Sequence, residues 1–594
     1  MPDFLCWFHP AQPLPAGAAS PAPRDMDHVG DGRCGIAGGG TFLEGGMLAA
    51  VAGHPRWLDA ETARVAEARG HSAAAIRAWR EHGEGYLEHV GGDFGMVVAD
   101  PERGRLTAAI DRLGQTALFF ARCRGGVILA TRRALLSGHP DSPREIDPQS
   151  VHDFFYFHMI PAPATLYAGL EKLPAAHRIG VDGSDVSRER YWTPAFSEEA
   201  IDGDAFGERL RETLSGAVER RLGPGTGSFL SGGLDSSTVT GLHARLRPEE
   251  ARAFSIGFDV PGYDEIPYAR RAAEHFGVPL KEYYVTEGDV ADAVETVVRA
   301  FDEPFGNSSA LPAYFCARRA REEGIERMLA GDGGDELFGG NARYAKQGVF
   351  EQYFRLPAAL RRGLVEPLLC GPLGALPGLR KGRSYVRQAR IPLPDRLETY
   401  NFLHRIDPAS VFEAEFLESI DHTRPLQRLR EVYAAPDDAS TLNRMLYLDW
   451  QITLADNDLR KVDGACRLAG VDVAYPMLDD EVVALSCRIP SGDKLRAGRL
   501  RHFYKQAFRG FLPDEILTKK KHGFGLPFGM WLRDDPRLHE LARDMLHKVQ
   551  AQGWIRPAFI DELMEVHLRD HPGYYGEFIW VLMALGIWLD HHGL

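Results

Sequence analysis

The sequence predicts an α/β protein with two domains. The chain has 594 residues, which is more than one hydrophobic core usually organises. Its pattern changes near residue 200, from short apolar runs between turns to helical stretches that alternate with short strands. A glycine-rich loop lies at one strand–helix junction, within residues 227–242. We therefore expect one domain over residues 1–192 and a second over residues 203–594.

The composition excludes several classes of protein. Hydrophobic residues make up 44% and charged residues 26%, as in ordinary globular chains. The net charge of −14 does not favour binding to nucleic acid. The seven cysteines form no C-x-x-C pair, which argues against zinc and disulfides and favours a reducing compartment. With no signal-like N-terminus and no long apolar run, we expect a cytoplasmic protein without membrane contacts, and a homodimer stays open.

The first domain is predicted to be rich in strands. Residues 93–114 and 116–131 contain short apolar runs separated by turn residues, and residues 58–83 have the composition and spacing of a helix. Residues 191–206, "YWTPAFSEEAIDGDAF", are predicted to connect the two domains.

The second domain is predicted to hold a parallel sheet. The helical stretch 205–222 precedes the strand "GSFL" at 227–230, and "ARAFSIGF" at 251–258 is the next apolar run. This alternation is typical of parallel strands joined by crossover helices. Beyond about residue 345 the chain is predicted to be mostly helical.

The loop "SGGLDSS" at 231–237 predicts an anion site. Free backbone N–H groups and the positive end of a helix dipole meet where a strand passes through a tight loop into a helix. Gly232 and Gly233 allow close approach, while Ser231, Ser236 and Ser237 add hydroxyl donors. Asp235 would repel an anion unless Mg²⁺ lay between them. The alternative is an ordinary strand–helix turn with a polar cap.

The loop lacks the lysine of the Walker pattern and resembles the pyrophosphate loop of ATP pyrophosphatases, most closely that of the glutamine-hydrolysing (class B) asparagine synthetases. Blocks at 254–258, 302–314, 329–344, 454–479 and 517–533 extend the resemblance over nearly the whole chain. β-Lactam synthetases and lasso-peptide cyclases are related to this family. The resemblance implies an N-terminal Ntn-type αββα glutaminase-like sandwich. It also implies a C-terminal parallel α/β ATP-pyrophosphatase (adenine nucleotide α-hydrolase-like) domain with helical additions.

The resemblance also implies roles for individual residues. Asp235 and Asp335 would bind Mg²⁺, and Lys521 and Asp332 would be catalytic. The implied nucleotide contacts are Leu230, Ser231, Gly232, Gly233, Asp235, Ser236, Ser237, Ile256, Ala330 and Gly331. Two alternatives stay open. The run "GDGGDE" at 331–336 could be a solvated turn, and the three lysines at 519–521 could form a solvated basic face. Which of the three lysines faces the site is not assigned.

The implied chemistry is amide synthesis with ATP. A small-molecule or peptide carboxylate attacks the α-phosphorus, pyrophosphate leaves, and an amine or ammonia then attacks the acyl-adenylate to release AMP. The amine could also belong to the substrate itself, as in the β-lactam synthetases and lasso-peptide cyclases, and a non-catalytic regulatory role is a further alternative. Asp472 and Ala474 stand where the family has Glu and Arg, which questions free aspartate as the substrate.

The first domain is expected to be an inactive glutaminase. Such enzymes need a cysteine at the mature N-terminus, whereas removal of Met1 would expose Pro2. Cys34 begins "CGIAG", which resembles the family's starting run, so processing before Cys34 is the alternative. Spacing argues against it, because the turn at Asp111 lies 110 positions after Met1 but 77 after Cys34. The family's Asn-Gly pair is also missing at "AVAGHPRW".

Overall fold

The first part of the chain forms two antiparallel sheets. The structure is a computed structural model that describes residues 3–9, 26–31, 33–371, 376, 378–519 and 525–594. The strands of these sheets are β1 (Phe4–Phe8), β2 (His28–Gly30), β3 (Cys34–Gly38), β4 (Phe42–Glu44), β5 (Met47–Trp57), β6 (Val90–Asp100), β7 (Arg105–Ile110), β8 (Phe119–Cys123), β9 (Gly126–Ala130), β10 (Leu170–Lys172), β11 (His177–Asp182) and β12 (Asp185–Arg190). The strand orders are β10-β8-β9-β1-β3-β2 and β12-β11-β7-β6-β5-β4.

The two sheets pack face to face between helices. Alternate residues of β1, Phe4 and Phe8 among them, lie in the core shared with β6, while Trp7 lies on the opposite face of its sheet. The helices of this region are α1 (Ala60–Arg69), α2 (His71–His82), α3 (Arg133–Leu136) and α4 (Pro148–Phe157). Helix α2 packs on the outer face of the β5–β6 sheet and α4 on that of the β1–β9 sheet, so the predicted αββα sandwich is confirmed.

The second part contains a five-stranded parallel sheet. Its strands are β13 (Thr226–Phe229), β14 (Ala253–Gly257), β15 (Leu280–Tyr284), β16 (Arg327–Leu329) and β17 (Asp472–Ala474), in the order β15-β14-β13-β16-β17. All four pairings are parallel, as the alternation of helices and strands predicts. The α/β fold class with a parallel C-terminal sheet is therefore confirmed.

Helices surround this sheet and extend beyond it. The helices up to residue 390 are α5 (Gly203–Glu219), α6 (Leu234–Leu246), α7 (Ile266–Phe276), α8 (Glu287–Arg299), α9 (Ala310–Glu322), α10 (Gly334–Phe338), α11 (Ala342–Glu351), α12 (Ala358–Leu360), α13 (Glu366–Cys370) and α14 (Arg380–Arg390). Later helices are α15 (Pro408–Val411), α16 (Ala414–Glu418), α17 (Arg424–Ala434), α18 (Thr441–Asp449), α19 (Leu459–Ala469), α20 (Asp480–Cys487), α21 (Ser491–Lys494), α22 (His502–Ala507), α23 (Asp514–Thr518), α24 (Phe528–Asp534), α25 (Pro536–Ala551), α26 (Pro557–Glu562), α27 (Leu568–Asp570) and α28 (Pro572–His592). Turns of 3₁₀ helix occur at Gly83–His89, Gln352–Arg355, Asp395–Tyr400, Phe402–His404 and Pro476–Leu478, and π-helical segments at Arg361–Val365, Trp450–Asp458 and Leu563–His567.

Helix α28 is apolar around its circumference because other helices enclose it. Its residues from Phe578 to Leu589 are buried, and it packs against α24, α25 and α8. An all-apolar helix is typical of a fully buried position as well as of a membrane span. Among the described residues, no helix has the length and apolarity needed to cross a membrane.

The connection between the two parts is extended. No regular secondary structure covers residues 193–202, between β12 and α5. The division of the chain at 192 and 203 stays a prediction.

Candidate active site

Two loops meet at the carboxyl edge of the parallel sheet. Residues 230–233 join β13 to α6, and residues 330–333 join β16 to α10. Strands β13 and β16 are neighbours, and the chain proceeds from β13 to one edge of the sheet before it returns through β16 to the other edge. The two loops therefore leave the sheet at its topological switch point, which is where open α/β sheets bind ligands.

The first loop makes a tight turn that only glycine fits well. Gly232 has φ +67°, and a Cβ atom there would lie 2.5 Å from the backbone of Tyr268. The hydroxyl groups of Ser231 and Ser236 are 3.0 Å apart, and Ser236 Oγ accepts a hydrogen bond of 3.2 Å from the N–H of Ser231. These bonds fix the loop at the N-terminus of α6, as the strand–loop–helix motif predicts.

The second loop packs directly against the first. A Cβ atom on Gly334 would overlap the carboxylate of Asp235, so the close approach of the loops requires glycine at this position. Asp235 and Asp335 line the same cavity, and Asp332 lies beside them. The fold thus brings together the two carboxylates, about a hundred residues apart, that the family resemblance pairs.

Arg501 bridges the two carboxylates. Its Nη1 and Nη2 atoms donate to Asp235 Oδ1 and Oδ2 at 2.5 and 2.6 Å, and Nη2 also donates to Asp335 Oδ1. The Arg501 side chain is only 3% exposed. The backbone of Arg501 has φ +52°, an uncommon conformation for a residue other than glycine. Sequence reasoning missed this residue, because "RLRHFYKQAF" carries no local sign of a site 266 positions from Asp235.

A second charged group lies around Lys461 of α19. Its Nζ atom donates to Asp458 Oδ1 at 3.1 Å. The pKa of Asp332 is raised to about 6, mainly by burial; Lys461 acts to lower this pKa, while Asp458 and Asp235 act to raise it. Burial acts to lower the pKa of Lys461, but Asp458 and Asp332 outweigh it and leave that pKa raised. The segment 454–479 is one of the blocks that carry the family resemblance, but sequence reasoning did not select Lys461 or Asp458.

The cavity above these residues has a volume of about 920 Å³. The predicted site residues that line it are Leu230, Ser231, Gly233, Asp235, Ser236, Ile256, Gly331, Asp332 and Asp335. Gly232, Ser237 and Ala330 do not line it, since Gly232 faces Tyr268 and Ser237 and Ala330 are buried beneath the loops. The roles given to all these residues stay predictions.

The lysine that reaches the first loop in the described structure is Lys519. Its Nζ atom lies 3.4 Å from the carbonyl of Gly232 and 2.9 Å from Glu265, and its side chain is 7% exposed. The interpretation of the basic run as a solvated face does not hold for this residue. The predicted catalytic residue, Lys521, lies outside the described residues.

The donor set suits Mg²⁺ that shares its coordination with phosphate. Within the described part of the chain, no three His, Cys, Asp or Glu side chains are arranged to hold a metal ion alone. Asp235 and Asp335 do converge on a single cation, the guanidinium of Arg501. Because Mg²⁺ is usually held by one or two carboxylates together with substrate phosphates, two converging carboxylates are sufficient.

The N-terminal region does not present Cys34 as a nucleophile. Cys34 begins β3 beside β1, is 3% exposed, and pairs in register with Phe8. Burial and the charge of Asp31 raise the pKa of its thiol to about 12, whereas an attacking thiol needs a lowered pKa. Asp111 has a structural role in its turn, where it accepts from the N–H groups of Gln115 and Thr116 at 2.9 Å. Pro2 lies outside the described residues.

Two residues expected on the acceptor side lie away from the cavity. Asp472 begins β17 at the amino edge of the sheet, where its carboxylate accepts from Arg327 at 2.9 Å. Ala474 ends β17, but its carbonyl accepts from Ala330 and its side chain is buried. Neither residue lines the cavity.

Both parts of the chain match families of known proteins. Residues 209–590, more than half of the chain, match the asparagine synthase family, and residues 61–192 match the glutamine amidotransferase domain. Similar proteins include asparagine synthetase [glutamine-hydrolyzing] 1 of Bacillus subtilis, 25% identical over 86% of this chain and 79% of the relative. A putative asparagine synthetase [glutamine-hydrolyzing] of Mycobacterium tuberculosis is 27% identical over 87% of this chain and 79% of the relative. Amidase chry2 of Gibberella zeae is 24% identical over 80% of this chain and 75% of the relative. The chain therefore belongs to the asparagine synthase family.

Proposed function

We propose that this protein is an ATP-dependent amide ligase that converts a carboxylate to an acyl-adenylate and transfers an amine or ammonia to it. AMP and pyrophosphate are the expected products. The observation that carries the proposal is the meeting of Asp235 and Asp335 at the switch point of the sheet, beside the N-terminus of the 13-residue helix α6. A helix N-terminus with adjacent carboxylates suits a triphosphate that arrives with a divalent cation.

Activation of the carboxylate requires charge neutralisation more than covalent help from the protein. The substrate oxygen attacks the α-phosphorus, a new O–P bond forms, and the bond to pyrophosphate breaks. Mg²⁺ held by Asp235 and Asp335 would offset the charge of the triphosphate. Backbone N–H groups of the 230–233 loop and the Lys519 ammonium, whose Nζ atom lies 3.4 Å from the Gly232 carbonyl, are proposed to bind phosphate oxygens. Lys521 is proposed to act in the same way.

Asp332 is proposed to accept the proton in the second step. The amine nitrogen attacks the acyl carbon, the C–O bond to AMP breaks, and the nitrogen loses a proton. A buried carboxylate with a pKa of about 6 is ionised at neutral pH, yet it is a stronger base than an ordinary aspartate. Lys461 is close enough to Asp332 to influence its pKa and stabilises its charged form.

Two candidate reactions share this chemistry and differ in the source of the amine. Because the Cys34 thiol of the unprocessed chain is buried with a raised pKa, it is not suited in that form to release ammonia from glutamine. External ammonia or another free amine is the first candidate. An amine within the substrate, as in an intramolecular cyclase, is the second, and the buried Cys34 fits it equally well. The set of charged residues in the cavity argues against a non-catalytic role.

ATP–pyrophosphate exchange tests the proposal. The wild-type protein is incubated with ATP, Mg²⁺, labelled pyrophosphate and a panel of small carboxylic acids and peptides. We expect at least one carboxylate to support exchange and D235N to abolish it. D292N is a matched control, since Asp292 is an exposed aspartate that pairs with Arg537 on the surface. Exchange that survives unchanged in D235N would contradict the site assignment.

A further inference from the structure

The guanidinium of Arg501 occupies the oxygens that a divalent cation would need. Both oxygens of Asp235 and one oxygen of Asp335 accept hydrogen bonds from it. A guanidinium remains charged at any physiological pH, so this cation cannot be removed by deprotonation. A divalent cation can therefore bind these oxygens only if the Arg501 side chain moves away.

The surroundings of Arg501 enclose the guanidinium against the carboxylates. The ring of Tyr504 has its centroid 5.6 Å from the guanidinium carbon, and Tyr504 is itself held by a hydrogen bond of 2.9 Å to Thr238. On the other side, a Cβ atom on Gly340 would overlap both Asp335 and the Nε atom of Arg501.

One donor of Arg501 is not used by the two carboxylates. Its Nε atom is buried and has no hydrogen-bond acceptor among the residues that the structure describes. A buried donor without a partner is costly, so a phosphate oxygen that accepted from it would be stabilising. The planar guanidinium fork matches phosphate as well as it matches carboxylate, so the same side chain could exchange one partner for the other without a change of charge.

We propose that Arg501 keeps Asp235 and Asp335 closed to free divalent cations and releases them only when the cation arrives with a nucleoside triphosphate, whose phosphate oxygens then bind the guanidinium. This proposal rests on the proposed ATP site. It gives Arg501 a binding role toward the nucleotide and makes metal binding conditional on the substrate.

The first test measures the binding of Mn²⁺ alone to the full-length protein, from the electron paramagnetic resonance signal of the free ion. We expect weak binding to the wild type and binding at least about tenfold tighter to R501M, because the guanidinium no longer occupies both oxygens of Asp235. R501K should give a smaller gain, since an ammonium cannot bind both oxygens of Asp235 in a fork.

Two further variants define the site. R327M removes an arginine that pairs with Asp472 at the opposite edge of the sheet, so it should bind Mn²⁺ as the wild type does. Adding D235N to R501M should remove the gain in affinity. If neither R501M nor R501K binds Mn²⁺ more tightly than the wild type, the proposal is overturned.

A second test needs no variant at Arg501. A crystal structure of the wild type with Mg²⁺ and α,β-methylene ATP should place the guanidinium within hydrogen-bonding distance of a phosphate oxygen and away from Asp235. A guanidinium that remains on Asp235 in that complex would overturn the proposal. A protein that binds no α,β-methylene ATP at all would instead contradict the proposed function, so the two failures are distinguishable.

Discussion

The carboxylates of the cavity differ in the cations that neutralise them. Asp235 and Asp335 share Arg501, whereas Asp332 has no such bidentate partner among the residues that the structure describes, and burial raises its pKa. Loss of one partner from a buried ion pair costs about 3–5 kcal/mol, because a charge is left without compensation. Arg501 therefore contributes to the stability of the two loops as well as to binding. The raised pKa of Asp332 suits this carboxylate to take up a proton.

Substitution of Asp332 separates the two steps of the proposed reaction. D332N keeps the shape of the side chain but removes its basicity. We expect amide formation to fall by about 10²–10⁴-fold, while ATP–pyrophosphate exchange is retained. Amide product and exchange are measured on the same preparation. Equal losses in both assays would contradict the role of Asp332 as the proton acceptor.

The pH profile offers an independent check of the same residue. Because burial raises the pKa of Asp332 to about 6, the charged form that accepts a proton is lost as the pH falls through this value. We expect kcat/KM for amide formation to rise with pH through an inflection near 6 in the wild type, and this inflection to disappear in D332N. An unchanged inflection in D332N would assign the titration to another group.

At the scale of single elements, glycines and an irregular helix shape the cavity. Gly334 allows the α10 loop to touch Asp235, and Gly340 allows the following turn to touch Asp335. The segment Trp450–Asp458 is π-helical and leads directly into α19. Its last residue, Asp458, reaches Lys461 at the cavity wall. Wider turns of this kind occur often at functional sites, because they redirect side chains within a helix.

Substitution of Gly334 tests the contact between the loops. The added methyl group in G334A would overlap the Asp235 carboxylate, and we expect a loss of about 1–3 kcal/mol in the free energy of unfolding. Binding of Mg²⁺ and α,β-methylene ATP should weaken as well. G363A is the control, because a Cβ atom on Gly363 has no neighbour within 4 Å. Wild-type stability and binding in G334A would show that the loops do not pack as described.

At the scale of the whole molecule, hydrogen bonds join the sandwich to the parallel-sheet region. Asp480 of α20 accepts from the N–H of Gly92 at 2.6 Å and from Arg112 at 3.1 Å. Asp456 accepts from the N–H of Ala162 at 2.7 Å. Buried carboxylates that bind backbone N–H groups fix orientation as well as distance. The sandwich is thus held firmly against the region that carries the candidate active site.

The position of Cys34 within the sandwich predicts that its thiol is unreactive. In C34A, we expect any glutamate release from glutamine to be unchanged, with a loss of stability of about 0.5–3 kcal/mol because core packing is lost. Iodoacetamide should label Cys34 of the wild type only after unfolding, as mass spectrometry of digested protein would show. Glutamate release that disappears in C34A, or rapid labelling of the native protein, would restore Cys34 as a nucleophile.

The sequence by itself determined the local features of this protein. The run "SGGLDSS" between an apolar strand and a helix, and the alternation of helices and strands after residue 203, predict the parallel sheet and its anion-binding loop. These features can be predicted from the sequence because the preferences of residues for strand, loop and helix depend mainly on neighbouring residues. The αββα sandwich came instead from the resemblance to a family, since the strand pattern alone does not specify how two sheets stack.

Only the tertiary structure decided which distant residues share the cavity. Arg501 meets Asp235 across 266 positions, and Asp472, expected near the substrate, lies at the other edge of the sheet. The physical reason is that a side chain's partners depend on where its element packs, and on which edge of the sheet its strand begins or ends. The spacing of residues in the sequence does not predict that one guanidinium binds both carboxylates of the proposed metal site.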